Sequence, residues 1–371
     1  LKGKIIMKIT FPHFGNTHLA AKALFDGLGI ECIIPPFNNN EAMELGSKFS
    51  PEEMCLPYKI MMGNYLQSIE LGADTILLPG SCGPCRFGEY CELQMNALKK
   101  MGHDLTFIVI DSPFDIGKEE FLNRLSKISD NSTLGKIQKF RALKLAYTVN
   151  ELIDKIESKV HYLTGFEVNK GEFKKLLEEC IVNATKAIGP SQMVNILKEY
   201  KNKINDIPIN KHKSPVKIAI IGEIYTVIEP FSNLYIEDKL MDYGVTTKRM
   251  LTPSWWIKDA VLSPFKLNSI DLRKASREYL PYYIGGHARE CIGEVLLAKK
   301  ENFDGAIQIF PMGCMPEIVS KAILTKISSD KEFPIMTLIV DEMTGEAGYV
   351  TRIEAFVDML ERRKNNVLYG S

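Results

Sequence analysis

Apolar positions along the chain fall into short unbroken runs, and the segments between the runs carry apolar residues at helical spacing. The runs predict strands over 4–11, 32–35, 75–78, 105–111, 216–221, 244–247, 304–310 and 335–341. Helices are predicted over 17–28, where Gly29 stops the pattern, and over 89–101, 235–241, 286–302, 317–328 and 351–363. Ser50-Pro51-Glu52-Glu53 reads as a capping box with proline at the first helical position, opening a helix that runs to Leu71 with Cys55 in its first turns. Strands alternating with helices through short glycine-containing loops define a parallel α/β layer, and unbroken apolar runs suit sheets covered on both faces. From 113 to 213 the texture changes. Charge is dense, and Leu143, Val149, Leu152, Ile153 and Ile156 recur at helical spacing, which predicts three or four helices. Residues 205–215, lysine-rich with Pro208 and Pro215, read as a linker. The stretch 253–283 is aromatic and less regular; its Trp255, Trp256, Tyr279, Tyr282 and Tyr283 read as core packing in preference to a substrate lid or subunit contact.

The two α/β halves match element by element. Pro79-Gly-Ser-Cys82-Gly-Pro84 and Pro311-Met-Gly-Cys314-Met-Pro316 both give Pro-x-x-Cys-x-Pro directly after a strand. Each is preceded by a helix bearing a cysteine, Cys55 or Cys291. Each is followed by a helix and a strand ending in aspartate, Asp111 or Asp341. The reading is two Rossmann-like parallel-sheet domains related by internal duplication, with a helical segment between them: an N-terminal domain at 1–112, the helical segment and linker at 113–213, and a C-terminal domain at 214–371. In such sheets ligands collect beyond the carboxyl ends of the strands, where both motif loops lie.

Length and composition narrow the function. The 371 residues suffice for two or three domains, and 45% hydrophobic with 25% charged residues is an ordinary globular balance. Lysine plus arginine equals aspartate plus glutamate at 46 each, so no basic excess points to nucleic acid. No apolar run is long enough to span a bilayer. The six residues before Met7 lack the apolar core of a signal peptide, and Met7 reads as the more natural start. A reducing, cytoplasmic setting is expected. The eight cysteines there are better suited to metal or redox chemistry than to disulfides.

Six of them lie in Gly/Pro-rich or charged contexts: Cys55, Cys82, Cys85, Cys91, Cys291 and Cys314. Cys32, in an apolar run, and Cys180, on a predicted helix, read as buried packing. Six candidate ligands are too many for one closed zinc site and too few for two all-cysteine sites. Thiolates also hold iron–sulfur clusters, where a cubane takes four cysteines and a three-cysteine cubane leaves an open iron. Three and three fits that arithmetic. One split gives Cys55, Cys82 and one of Cys85 and Cys91 to the first set, and Cys291, Cys314 and the remaining thiol to the second; the assignment stays open.

Glu53-Met-Cys55-Leu-Pro57 with Lys59, Gly80-Ser-Cys82-Gly-Pro-Cys85-Arg-Phe-Gly88, Gly313-Cys314-Met-Pro316, Asp341 with Thr344-Gly-Glu-Ala-Gly348, and Thr351-Arg-Ile-Glu-Ala-Phe356 together resemble the 2-hydroxyacyl-CoA dehydratase D-component superfamily. That superfamily includes the CoA protein activases, or activase-related proteins, and the double-cubane cluster proteins. The resemblance spans nearly the whole chain. It implies an oxygen-sensitive iron–sulfur cluster between two Rossmann-like domains: a [4Fe-4S] cubane on three cysteines as in the dehydratases, or an [8Fe-9S] double cubane on six. The six motif cysteines make the second more similar. The resemblance also implies low-potential electrons from a separate ATP-dependent activator. No Gly-x-x-x-x-Gly-Lys-Ser/Thr loop is present, so the activase name implies no ATPase here.

Beside the thiols, His13 follows the first strand and is a weak candidate for proton donation, with a loop-structural role favoured. His18 and His287 lie near helix starts, where capping or exposure is the default reading. Lys59 and Arg86 flank motif cysteines and are candidates to hold an anionic cluster, against plain surface charge. Glu342 and Glu346 follow the last strand, and helix-terminus complementarity accounts for Glu346 equally well. The leading expectation is an iron–sulfur redox protein that reduces a small-molecule substrate, with a homodimer left open. The alternatives are an acyl-CoA dehydratase-like lyase subunit and a non-catalytic, metal-stabilised binding module.

Overall fold

In the computed structural model, residues 7–80, 85–110, 116–129, 131–263 and 267–369 are described. Cys82 and Asp111 lie outside them. The chain forms two compact units, one of Leu1–Leu152 with Asn183–Leu197 and one of Ile153–Val182 with Lys198–Ser371. Both are α/β, and every strand pairing within their sheets is parallel, as the unbroken apolar runs require.

Unit 1 opens with β1 (Ile9–Thr10), α1 (Thr17–Leu28), α2 (Asn40–Lys48), α3 (Leu56–Glu70), β2 (Thr75–Pro79), a 3₁₀ turn (Arg86–Glu89), α4 (Tyr90–Lys100) and β3 (Thr106–Ile110). The sheet order is β1-β2-β3. Gly29 caps α1 at φ 65°, a left-handed position that glycine takes without strain. The strand predicted over 32–35 shrinks to a bridge between Ile9 and Cys32. Pro35 and Pro36 carry no N–H and cannot extend a ladder.

The capping box also fails. Ser50 turns its hydroxyl back onto the Gly46 carbonyl at the end of α2, and α3 starts later, at Leu56, with Cys55 as its N-cap and Pro57 in its first turn. Helix α2 was not predicted. Asn39 caps it by accepting from the Ala42 amide. It crosses α3 at backbone contact: a Cβ on Gly46 would lie 1.7 Å from the Lys59 carbonyl oxygen, and one on Gly63 would lie 1.7 Å from that of Ala42. Only glycine permits that approach.

After β3 come α5 (Lys118–Ser129), α6 (Lys136–Leu163), α7 (Glu172–Thr185) and α8 (Pro190–Lys203). The chain passes from one unit to the other within α6, α7 and α8. The buried stripe of α6 runs through Ala142, Ala146, Val149, Ile153, Ile156 and Val160. Leu143, predicted on that stripe, is 53% exposed, because the 3.6-residue period through Val149 and Ile153 selects Ala142 and Ala146.

Unit 2 continues with β4 (Lys217–Gly222), α9 (Ile224–Ile228), α10 (Ile236–Asp242), β5 (Thr246–Arg249), α11 (Pro253–Leu262), α12 (Ile270–Ser276), α13 (Ala288–Lys300), β6 (Gly305–Pro311), α14 (Met315–Asp330), β7 (Ile335–Val340) and α15 (Glu346–Tyr369). The sheet order is β5-β4-β6-β7, and β6 is buried along its whole length. The aromatic stretch is more helical than predicted, and Tyr282 and Tyr283 are exposed rather than core residues. Tyr283 instead stacks against the Arg289 guanidinium.

A buried ion network fastens α6 to this sheet. Arg249 on β5 donates to Glu157 of α6 at 3.0 Å and to Glu237 of α10 at 2.8 Å, and His161 Nδ1 lies 2.9 Å from Glu237. Burial opposes ionisation, yet Arg249 and His161 together hold the Glu237 carboxyl down at about 2. His161 is pushed up, because Glu237 outweighs its burial. Burial pushes Glu157 and neighbouring Asp154 up. The signs give a pH profile. Stability from Glu237 is complete above about pH 4.5 and is lost as pH falls toward 2. Stability from His161 is complete below about pH 6.5 and is lost above its raised folded value. Glu157 and Asp154 also favour the folded state at lower pH. The difference in urea-unfolding free energy between wild type and His161→Gln is therefore expected to shrink from pH 5 to pH 8; a difference that does not change with pH would remove the assignment.

Candidate metal centre

The two motif loops leave their sheets in the same way. In unit 1, Pro79 ends β2 opposite Ile110, and the Gly80 amide donates to the Ile110 carbonyl at 2.9 Å. In unit 2, Pro311 ends β6 opposite Val340, and the Met312 amide donates to the Val340 carbonyl at 2.9 Å. Gly313 then turns at φ 77°, and Cys314 becomes the N-cap of the 16-residue α14. Cys82, at the matching sequence position of the first loop, lies outside the described residues.

Cys55 is the N-cap of the 15-residue α3. Cys55-Leu-Pro57 and Cys314-Met-Pro316 thus open their helices alike, each with proline in the first turn. The positive end of a helix favours a thiolate over a thiol. Cys85 precedes the 3₁₀ turn, and Cys91 lies in the first turn of α4; both are half-buried. Burial, with Cys91 and Tyr58 adding to it, pushes Tyr65 up.

Residues after Cys85 close over the Cys55 turn. Arg86 Nη1 donates to the Glu53 carbonyl at 2.6 Å, and the Tyr90 hydroxyl meets Cys55 Sγ. Lys59, 3% exposed, donates to the Glu52 carbonyl at 3.1 Å. The two cations flanking the thiols therefore hold the backbone that presents Cys55. Tyr90 carried no sequence signal beyond its position beside Cys91.

Cys291 has a different setting. It is fully buried on α13 against Ala288, Ile292 and Val295. Burial, then the charges of Glu317 and Glu294, push its thiol well above the usual range, and it hydrogen-bonds Glu317. Glu317, in the first turn of α14, is pushed to about 7 by burial. Gln308, inside β6, donates to Glu317 Oε2 at 2.9 Å and accepts from Thr337 at 3.2 Å. Glu294 is 2% exposed with neither carboxyl oxygen hydrogen-bonded, and burial pushes it well up. The acids carry no sequence signal, because glutamates on a helix read as its solvent face; Gln308, polar within an apolar strand, is the mark of the place.

His13 is 2% exposed. Its Nε2 lies 3.1 Å from the Pro35 carbonyl and its amide donates to Asn64. Burial, with His18 adding to it, lowers its imidazole to about 3. His18 is buried too, not a solvent-facing cap, and is lowered to about 4 by burial. Cys180 is fully buried, and burial pushes the Cys32 thiol to about 12.

Among the described residues, no three His, Cys, Asp or Glu side chains come close enough to hold a metal ion. The donor chemistry nevertheless suits a soft, anionic group: Cys55 and Cys314 sit at helix N-termini, with Arg86 and Lys59 beside the first. Cys291 suits it less, since a metal there would displace a proton among carboxylates.

Two all-parallel sheets, with Cys314 following β6 and Cys55 opening α3, define a cysteine-bearing α/β protein. The chain belongs to the family described as CoA enzyme activase uncharacterised domain (DUF2229), whose model matches residues 13–251, more than half of its length. This agrees with the superfamily resemblance of the motifs. No curated protein matches the chain. Among the described residues, no helix is long and apolar enough to cross a membrane.

Proposed function

We propose that the protein is an iron–sulfur redox protein of the cytoplasm that takes low-potential electrons from a separate ATP-dependent activator and delivers them to a small-molecule substrate. Cys55, Cys82, Cys85, Cys91, Cys291 and Cys314 are the ligand candidates, with Cys55, Cys82 and Cys314 foremost. The observation that carries the reading is the shared placement of Cys55 and Cys314 as N-caps of long helices, each followed by proline at the second position. The matched Pro-x-x-Cys loop exits and the family membership add to it.

A thiolate-bound iron–sulfur cluster supplies one-electron chemistry at low potential. The helix N-termini of α3 and α14 favour the ionised sulfurs. Lys59 and Arg86 fix the turn that aims Cys55 and offset negative charge nearby. Burial and the charges of Glu317 and Glu294 oppose ionisation of the Cys291 thiol, which therefore stands behind the foremost three as a ligand.

Protein purified without oxygen is expected to be brown and to carry about eight irons per chain for a double cubane. About four irons, with three indispensable cysteines, would favour the lyase alternative. Colourless protein that holds only redox-silent metal would leave the binding-module reading.

A further inference from the structure

Two contacts tie the segment that follows Cys85 to the turn that carries Cys55. Arg86 reaches the Glu53 carbonyl, and one helical turn later the Tyr90 hydroxyl reaches Cys55 Sγ. Tyr90 is 4% exposed. Its ring packs edge-on against Tyr58, with centroids 5.1 Å apart, and tilted against Phe87 at the same separation. Tyr58 in turn is fixed in the first turn of α3 and 1% exposed. The hydroxyl therefore has little freedom to turn away from the sulfur. A thiol and a phenol can each donate to the other, but once the sulfur is a thiolate or metal ligand only the phenol can donate.

We propose that Tyr90 and Arg86 form a latch that presets Cys55 before any metal arrives, and that Tyr90 remains the hydrogen-bond donor to the Cys55 sulfur afterwards. Both are positioning residues. Tyr90 fixes the rotamer and electron density of the sulfur, and Arg86 fixes the backbone that carries it. Hydrogen bonds to ligand sulfurs stabilise the more negative, reduced state of a cluster, so this donor raises the potential. The consequence for a cluster rests on the function proposed above; the latch itself does not.

Two measurements separate them. In iron-loaded protein, Tyr90→Phe is expected to keep its iron and sulfide while its midpoint potential moves to more negative values. An unchanged potential would overturn the donor role. In reduced, metal-free protein at pH 7, Cys55 in Tyr90→Phe is expected to react with iodoacetamide roughly tenfold more slowly than in wild type, because the thiolate has lost a charge-assisted hydrogen bond. Arg86→Met is expected to alter the Cys55 rate, and Arg86→Lys, which can still reach the Glu53 carbonyl, to restore it. Equal Cys55 rates in Tyr90→Phe and wild type, or in Arg86→Met and wild type, would overturn the corresponding half of the latch. Wild-type protein that binds no iron would remove the cluster reading and leave the labelling rates to decide the latch.

Discussion

Replacing Arg249 with methionine is expected to cost about 3–5 kcal/mol of stability in urea unfolding at pH 7. The guanidinium side chain is 7% exposed and is the shared partner of two carboxylates that are each 12% exposed. Methionine fills comparable space but leaves Glu157 and Glu237 with only His161 as a nearby cationic partner. Both would then be driven to take up protons, so the loss is expected to be smaller at pH 5 than at pH 7. Converting both acids to glutamine in the same chain should return most of the loss, because the penalty comes from stranded charge and not from missing volume. A cost below about 1 kcal/mol for the single substitution would show that water reaches the network and screens it.

Serine at Cys55, Cys82 or Cys314 is expected to remove most of the iron from anaerobically purified protein, whereas alanine at Cys180 leaves it intact. The change from sulfur to oxygen is nearly isosteric but replaces a soft ligand with a hard one that does not ionise at neutral pH. Cys180 is fully buried within α7 and packs as a small hydrophobe. Serine at Cys291 is the informative intermediate. Retained iron would assign that thiol to the Glu317 hydrogen bond, and lost iron would give it to the cluster. Iron content that is indifferent to Cys55 and Cys314 together would end the proposal.

Much of the fold could be read from the chain, since an unbroken apolar run flanked by helical periods has few other ways to be buried. Helix α1 was placed to the residue because Gly29 supplies a left-handed stop. Several failures are local signals that lost to other contacts, some near in sequence and some from another element. Ser50, Glu52 and Glu53 made a credible helix start, but Ser50 serves α2 and the two carbonyls are held by Lys59 and Arg86. Helix α2 was overlooked because its face is read in backbone contact with α3, through Gly46 and Gly63, and a glycine leaves no apolar stripe. The candidate thiols were evident from their spacing and their Gly/Pro loops. Their surroundings were not, because Tyr90 meets Cys55, and Glu317 meets Cys291, across separate elements. Lys59 and Arg86 flank motif cysteines in the sequence, and the contacts they make with the Glu52 and Glu53 carbonyls could not be read there.

The division of α6, α7 and α8 between the units bears on synthesis. Unit 1 draws on Asn183–Leu197, beyond a stretch that belongs to unit 2. A nascent chain therefore cannot finish its first half on leaving the ribosome at residue 152; it must wait until residue 197 has emerged. During that interval Cys55, Cys82, Cys85 and Cys91 have already been synthesised, on a unit that still lacks the part of α7 and α8 that completes it.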